Sequence, residues 1–195
     1  MKNSSTQKFS KIVSIALTAM FSALICVATM FIKIPSPLGY QHAGDAIVYL
    51  SACILQNPYG MIASALGGAM SDLLSGYAIW VLPTLIIKAI NALPFVLVKI
   101  YINKRSKNSN KLPIKKANDK IINLPNLLML IPTSAVTIIG YTLATALIYD
   151  WKSALAELTI LWVQPVISGV LFVVLGIALD LFKFTQLIDK TMKEA

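Results

Sequence analysis

The stretch from Ile12 to Ile32 runs without a single charged residue. It matches the roughly 20 apolar residues that an α-helix needs to cross a bilayer's hydrocarbon core. No small-x-small cleavage site with a polar approach follows it, and the run is too long for a signal-peptide core, so it reads as a retained helix. The rest of the chain is of the same kind: 57% of residues are hydrophobic, 13% are charged and the mean hydropathy is +0.74. A soluble domain carries about twice that share of charge. The composition describes an all-α integral membrane protein formed as a single membrane domain over residues 1–195.

Pattern and punctuation place helices near 11–34, 45–55, 59–75, 79–102, 125–149 and 158–182. The second and third are short, and charge decides whether they are separate. Lys2, Lys8 and Lys11 precede the first helix, and Lys104, Arg105, Lys107, Lys111, Lys115, Lys116 and Lys120 follow the fourth. Both clusters belong on the cytoplasmic side by the positive-inside rule, so an even number of crossings separates them. The turn at Gln56 to Gly60 is therefore a reversal. Six helices with cytoplasmic N- and C-termini result, with the basic segment 103–120 as a cytoplasmic linker. The net charge of +9 is explained by this topology, without nucleic acid as a partner.

Polar residues at membrane depth are costly and mark candidate sites. By helical rise, Asp72 lies about 6 Å and Lys88 about 14 Å below the outer helix ends. A lysine stem can snorkel across much of that difference, which allows an Asp72–Lys88 contact. Thr84, Lys88 and Asn91 share one helix face at i, i+4 and i+7, on a helix that Pro83 and Pro94 interrupt. Hydroxyl, ammonium and amide on one stripe suit an oriented polar ligand; an internal ion pair is the plainer alternative for the two charges. Gln164, Ser168 and Tyr141 on the last two helices are further lining residues, or interhelical hydrogen-bonding groups. Gly60, Ser64, Gly68 and Ser71 make a small-residue surface, and Ala19 and Ala23 a small-xxx-small pair.

Much chemistry is absent. One histidine, His42, excludes a two-histidine metal site, and neither a phosphate-binding G-x-x-x-x-G-K-[ST] loop nor a G-x-S-x-G elbow occurs. Cys26 and Cys53 lie in apolar segments and read as buried small residues. The sequence calls for no catalyst, metal or cofactor.

The segment "GYQHAGDAIVYLSACILQNPYGMIASALGGAMSDLLSGYAIWVLPTLIIKAINAL", with "ALTAMFSALI" before it, resembles the substrate-binding S components of energy-coupling factor (ECF) vitamin transporters. The likeness lies in the H-x-G-D entrance at His42 to Asp45, D-L-x-x-G-Y at Asp72 to Tyr77 and P-T-x-x-I-K at Pro83 to Lys88. It covers about Ala16 to Leu93; beyond Asn103 only hydropathy and length agree. The resemblance implies a bacterial plasma-membrane subunit that captures a vitamin beneath its first outer loop. It also implies docking to a transmembrane T subunit and two cytoplasmic ATPases, with the S component toppling in the membrane to release its cargo. Ala19 and Ala23 match the family's Ala-x-x-x-Ala docking motif. Tyr40, His42 and Asp45 become ligand or gating candidates, with helix N-capping as the other role open to Asp45. A pyridine or pyrimidine vitamin suits Asp72, Lys88 and Asn91, and a flavin is compatible. A stand-alone carrier or channel is the alternative function, weakened by the lack of inverted repeats.

Overall fold

The computed structural model of the protein describes residues 4–108 and 120–188. The chain forms α1 (Ser4–Phe31), strands β1 (Lys33–Ser36) and β2 (Gly39–His42), then α2 (Asp45–Ile54) and α3 (Tyr59–Leu74). A 3-10 turn at Ala78–Trp80 leads into α4 (Val81–Asn108). After residue 119 come α5 (Leu124–Leu128), α6 (Leu130–Ile148), α7 (Trp151–Leu161) and α8 (Val163–Leu181). Among the described residues, four stretches are long and apolar enough to cross a membrane: Lys11–Phe31, Ala78–Ile102, Leu124–Ile148 and Trp151–Leu181. Large apolar side chains such as Ile131, Leu147, Val170 and Leu181 are exposed on them, the outward-facing apolar surface that a bilayer solvates. This is a multi-pass membrane protein.

Several expectations are corrected. The fold is mostly helical, but Lys33 to His42, expected as a loop, forms an antiparallel hairpin, with Lys33 opposite His42 and Pro35 opposite Tyr40. Pro37 opens the two-residue turn between the strands, where its fixed φ is favourable, and each strand is an edge, which tolerates Pro35. The first helix begins at Ser4 and not at residue 11, and the fourth runs on to Asn108, so the linker's first residues are helical. The remainder of that linker, 109–119, lies outside the described residues. Pro83 and Pro94 do not break α4. Pro83 sits in the first turn, where no N–H is needed, and neighbouring helices tolerate the interior Pro94. The fifth expected helix is divided at Met129. The outer connection expected from Asp150 to Glu157 is instead helix α7, whose N-terminus Asp150 caps by accepting from Ser153 N at 2.7 Å.

Close packing holds α2, α3 and α4 beneath the hairpin. The segment Leu55 to Pro58 separates α2 from α3. A methyl group on Gly60 would stand 2.9 Å from Ala52 Cα, and one on Gly67 2.6 Å from the Ser22 carbonyl oxygen. The small-residue face of α3 is thus spent on approach to α2 and α1. Tyr49, Phe95 and Phe172 join α2, α4 and α8 through ring centroids 5.2 to 5.9 Å apart, within the range for favourable aromatic pairs.

Candidate functional site

The site lies where the hairpin meets the helix ends. The end of α3 is closed by Gly76 at φ +84°, with Tyr77 N–H bonding to the Asp72 carbonyl at 2.8 Å and Gly76 N–H to Leu73 at 3.3 Å. A left-handed residue is needed there, and glycine takes it without cost. That closure sets Asp72, Tyr77 and Trp80 around one cavity, open to solvent at its mouth.

Residues of several elements line it. Trp80, Thr84 and Tyr141 form one wall, Asp72 and Tyr77 another, and Glu157, Leu161 and Gln164 a third; the strand residues Tyr40, Gln41 and His42 cover them. Trp80 and Tyr141 have ring centroids 6.1 Å apart, and Tyr40 meets Tyr77 edge-on at 5.0 Å. The Tyr141 hydroxyl donates to Thr84 Oγ1 at 3.2 Å.

Carboxylates on two helices hold the hairpin. Tyr40 donates its hydroxyl to Asp72 Oδ1 at 2.6 Å. Burial and the Asp72 carboxylate raise the Tyr40 phenol pKa far above its ordinary value, so it stays a donor. Glu157 Oε1 accepts from Ser36 Oγ at 2.5 Å and from Gln41 Nε2 at 3.1 Å. Lys33 Nζ stands 4.8 Å above the Tyr40 ring.

Below the cavity lies a buried charge network. Lys88 Nζ is 2.5 Å from Asp45 Oδ1, and Gln164 Nε2 donates to Asp45 Oδ2 at 2.7 Å. The pairing expected between Lys88 and Asp72 is therefore corrected: Asp45, at the start of α2, takes the ammonium, and Tyr40 takes Asp72. Nor does Asp45 cap its helix; Gly44 is the N-cap residue and no side chain bonds there. Gly44 N–H donates to His42 Nδ1 at 3.1 Å. The imidazole proton then sits on Nε2, 3.4 Å from Lys88 Nζ, so that approach is a contact between two donors. Burial, then the Lys88 charge, lowers the His42 pKa to about 3, with Asp45 opposing.

Of the sequence-derived candidates, Tyr40, His42, Asp72, Thr84, Tyr141 and Gln164 line the cavity. Asp45, Lys88 and Asn91 do not; each is fully buried. Asn91 Nδ2 donates to Thr137 Oγ1 at 3.1 Å, and Thr133 Oγ1 donates to Asn91, which ties α4 to α6. Ser168 donates to the His42 carbonyl at 3.3 Å. Ala19 and Ala23 are exposed on the outer face of α1, away from the cavity. Among the described residues no cluster of His, Cys, Asp or Glu is disposed to hold a metal ion.

Sequence reasoning missed Glu157, Gln41, Trp80 and Thr145. A signal for Glu157 was present: Ala154, Glu157 and Leu161 fall at helical spacing, and all three are buried.

Fold and site together define a multi-pass membrane protein with an aromatic and polar cavity beside the hairpin. Residues 9–181 match the family described as ECF-type riboflavin transporter, S component. The chain belongs to this family, whose members are substrate-binding transport subunits and not catalysts. No protein of curated function matches the chain.

Proposed function

We propose that the chain is the substrate-capture subunit of an ATP-driven ECF importer in the bacterial plasma membrane, and that its cargo is riboflavin or a close flavin. The observation that carries this reading is the cavity. Its lining pairs aromatic residues (Trp80, Tyr141, Tyr40, Tyr77) with residues that carry buried polar atoms without a hydrogen-bond partner among the described residues: Trp80 Nε1, Gln41 Oε1 and Glu157 Oε2. A flat heterocycle with carbonyl acceptors and a polyhydroxylated chain complements both sets. Membership of a riboflavin transporter family supports a flavin over the pyridine or pyrimidine vitamins favoured by the polar stripe on α4, and that stripe is occupied by internal partners.

In this reading six helices cross the membrane, both termini are cytoplasmic and the hairpin covers the cavity from outside. Ala19 and Ala23 present a small-residue strip on the exposed face of α1 for a T subunit, which joins two cytoplasmic ATPases. Toppling of the S component within that assembly carries the cargo inward. The test is to purify the full chain in mild detergent and identify the extracted small molecule by mass spectrometry. A flavin is expected. A different vitamin would reassign the cargo, and no bound molecule together with uptake by the isolated protein in ATP-free vesicles would replace capture with a stand-alone carrier.

A further inference from the structure

Helix α2 is short and almost wholly enclosed. Nine of its ten residues are buried, and at 1.5 Å per residue it is about 15 Å long. Asp45, its first residue, follows the hairpin junction, and its last turn leads to the exposed residues Gln56, Asn57 and Pro58 at the other end.

Both ends are held by lysines of one neighbour. Lys88 of α4 takes Asp45 at 2.5 Å. Lys99 of α4 donates from Nζ to the carbonyl oxygens of Cys53, Ile54 and Leu55 at 2.7, 3.1 and 3.1 Å. Carbonyls at a helix end lack partners within the helix, and a cation there also meets the negative end of the helix dipole. Eleven residues separate Lys88 from Lys99, about three turns that return to the same face of α4 about 16 Å further on. The two attachment points on α4 are thus spaced like the two ends of α2. Room for the first lysine comes from α3, where a methyl group on Gly68 would stand 2.8 Å from Lys88 Cγ.

Between the two lysines α4 has a weak point. Pro94 lacks the N–H that would bond back one turn, and helices bend most readily where that bond is missing. Immediately after it Phe95 stacks on Tyr49, in the middle of α2, with ring centroids 5.2 Å apart. Helix α2 therefore bridges the proline with one contact before it, one beside it and one after it.

We infer that Lys99 is a positioning residue which, with Lys88, clamps α2 along α4 as a single strut, and that this strut carries the state of the cavity to the turn at Gln56 to Pro58. Gln164 lines the cavity and donates to Asp45 Oδ2 at 2.7 Å, and His42, which also lines it, stands 3.4 Å from Lys88 Nζ. A shift of either side chain reaches the start of α2, and a buried helix without glycine or proline moves its far end with its near one. The inference rests on the capture reading for the ligand used as a probe and for nothing else.

The experiment is hydrogen–deuterium exchange on the full chain in lipid nanodiscs. At one end of α2 the reporters are the amides of Ala46, Ile47 and Val48, bonded to the carbonyls of Ala43 and Gly44; at the other they are Leu55 and Tyr59, bonded to Ser51 and Gln56. Lys99→Met should speed exchange about tenfold or more at both ends, while α6 and the control variant Lys104→Met keep wild-type rates. Lys99→Arg, which keeps a cation for the carbonyls, should retain most of the protection. A rise confined to Leu55 and Tyr59 would make Lys99 a local cap and overturn the strut, and so would a rise spread equally over α6. Riboflavin should slow exchange at Leu55 and Tyr59 in wild type but not in Lys99→Met. Bound riboflavin with no such slowing in wild type overturns the coupling. If riboflavin does not bind, the capture reading falls, and the two-ended response to Lys99→Met still decides the strut.

Discussion

Lys88 Nζ lies 2.5 Å from Asp45 Oδ1, and neither side chain has any exposed surface. The pair fixes α4 to the start of α2, immediately after the hairpin, and Gln164 of α8 bonds the second carboxylate oxygen. Removing one member of such a pair strands a buried charge, at a cost of about 3–5 kcal/mol, whereas removing both is far less damaging. Lys88→Met should therefore lower thermal stability in detergent sharply. The double variant Lys88→Met, Asp45→Asn should recover most of the loss, and a double variant no more stable than the single would contradict the pairing.

His42 gives a pH signature. Its folded pKa, about 3, lies below the ordinary 6.5, so between those values the unfolded chain binds the extra proton and the folded chain does not. Stability is fully present above pH 6.5 and is lost progressively as pH falls toward 3. The groups facing the imidazole, Lys88, Asp45 and Tyr40, are unchanged in His42→Gln. Melting temperatures from pH 7.5 down to pH 4 should fall less steeply in that variant than in wild type, and parallel curves would contradict the assignment.

Gly44 is held by space, since its backbone is helical at φ −58°. A methyl group there would meet Thr29 Oγ1 at 2.0 Å and His42 Nδ1 at 3.2 Å. Gly44→Ala should destabilise the hairpin junction by about 1–3 kcal/mol, the range for overpacking. Adding Thr29→Ala removes the nearest atom and should restore part of that loss, as read by thermal melts. No rescue would mean that the clash lies elsewhere.

Ala19→Trp places a bulky ring on the exposed face of α1 without touching the cavity. Vitamin binding by the isolated protein should be unchanged, while uptake by cells carrying the complete transporter should fall to background. Normal uptake would remove Ala19 from the docking surface.

Much of this architecture is legible in the sequence, because length and hydropathy constrain membrane helices tightly. The uncharged run from Ile12 to Ile32 gives the core of α1, and the punctuation around Asn57 and Pro58 separates α2 from α3. What stays hidden depends on neighbours. Depth arithmetic placed Lys88 within reach of Asp72, but periodicity along α4 does not tell which helix its ammonium faces, and Asp45 of α2 was the one. Lys33 to His42 mixes prolines, glycine and polar residues with no clear alternation, so a hairpin read as a loop. Glu157 escaped because Asp150 to Glu157 read as a connection, although its spacing from Ala154 and Leu161 marks an inward helix face.

In the proposed reading a flavin binds in the cavity against Trp80. The direct measurement is a titration of riboflavin into the full chain in nanodiscs, wild type and Trp80→Ala, followed by flavin fluorescence. Stacking on the aromatic wall predicts saturable one-to-one quenching with a submicromolar Kd in wild type, and binding weaker by about tenfold or more in the variant, the scale of a buried aromatic contact. Absence of saturable quenching in wild type, or equal affinities in the two proteins, would contradict the account.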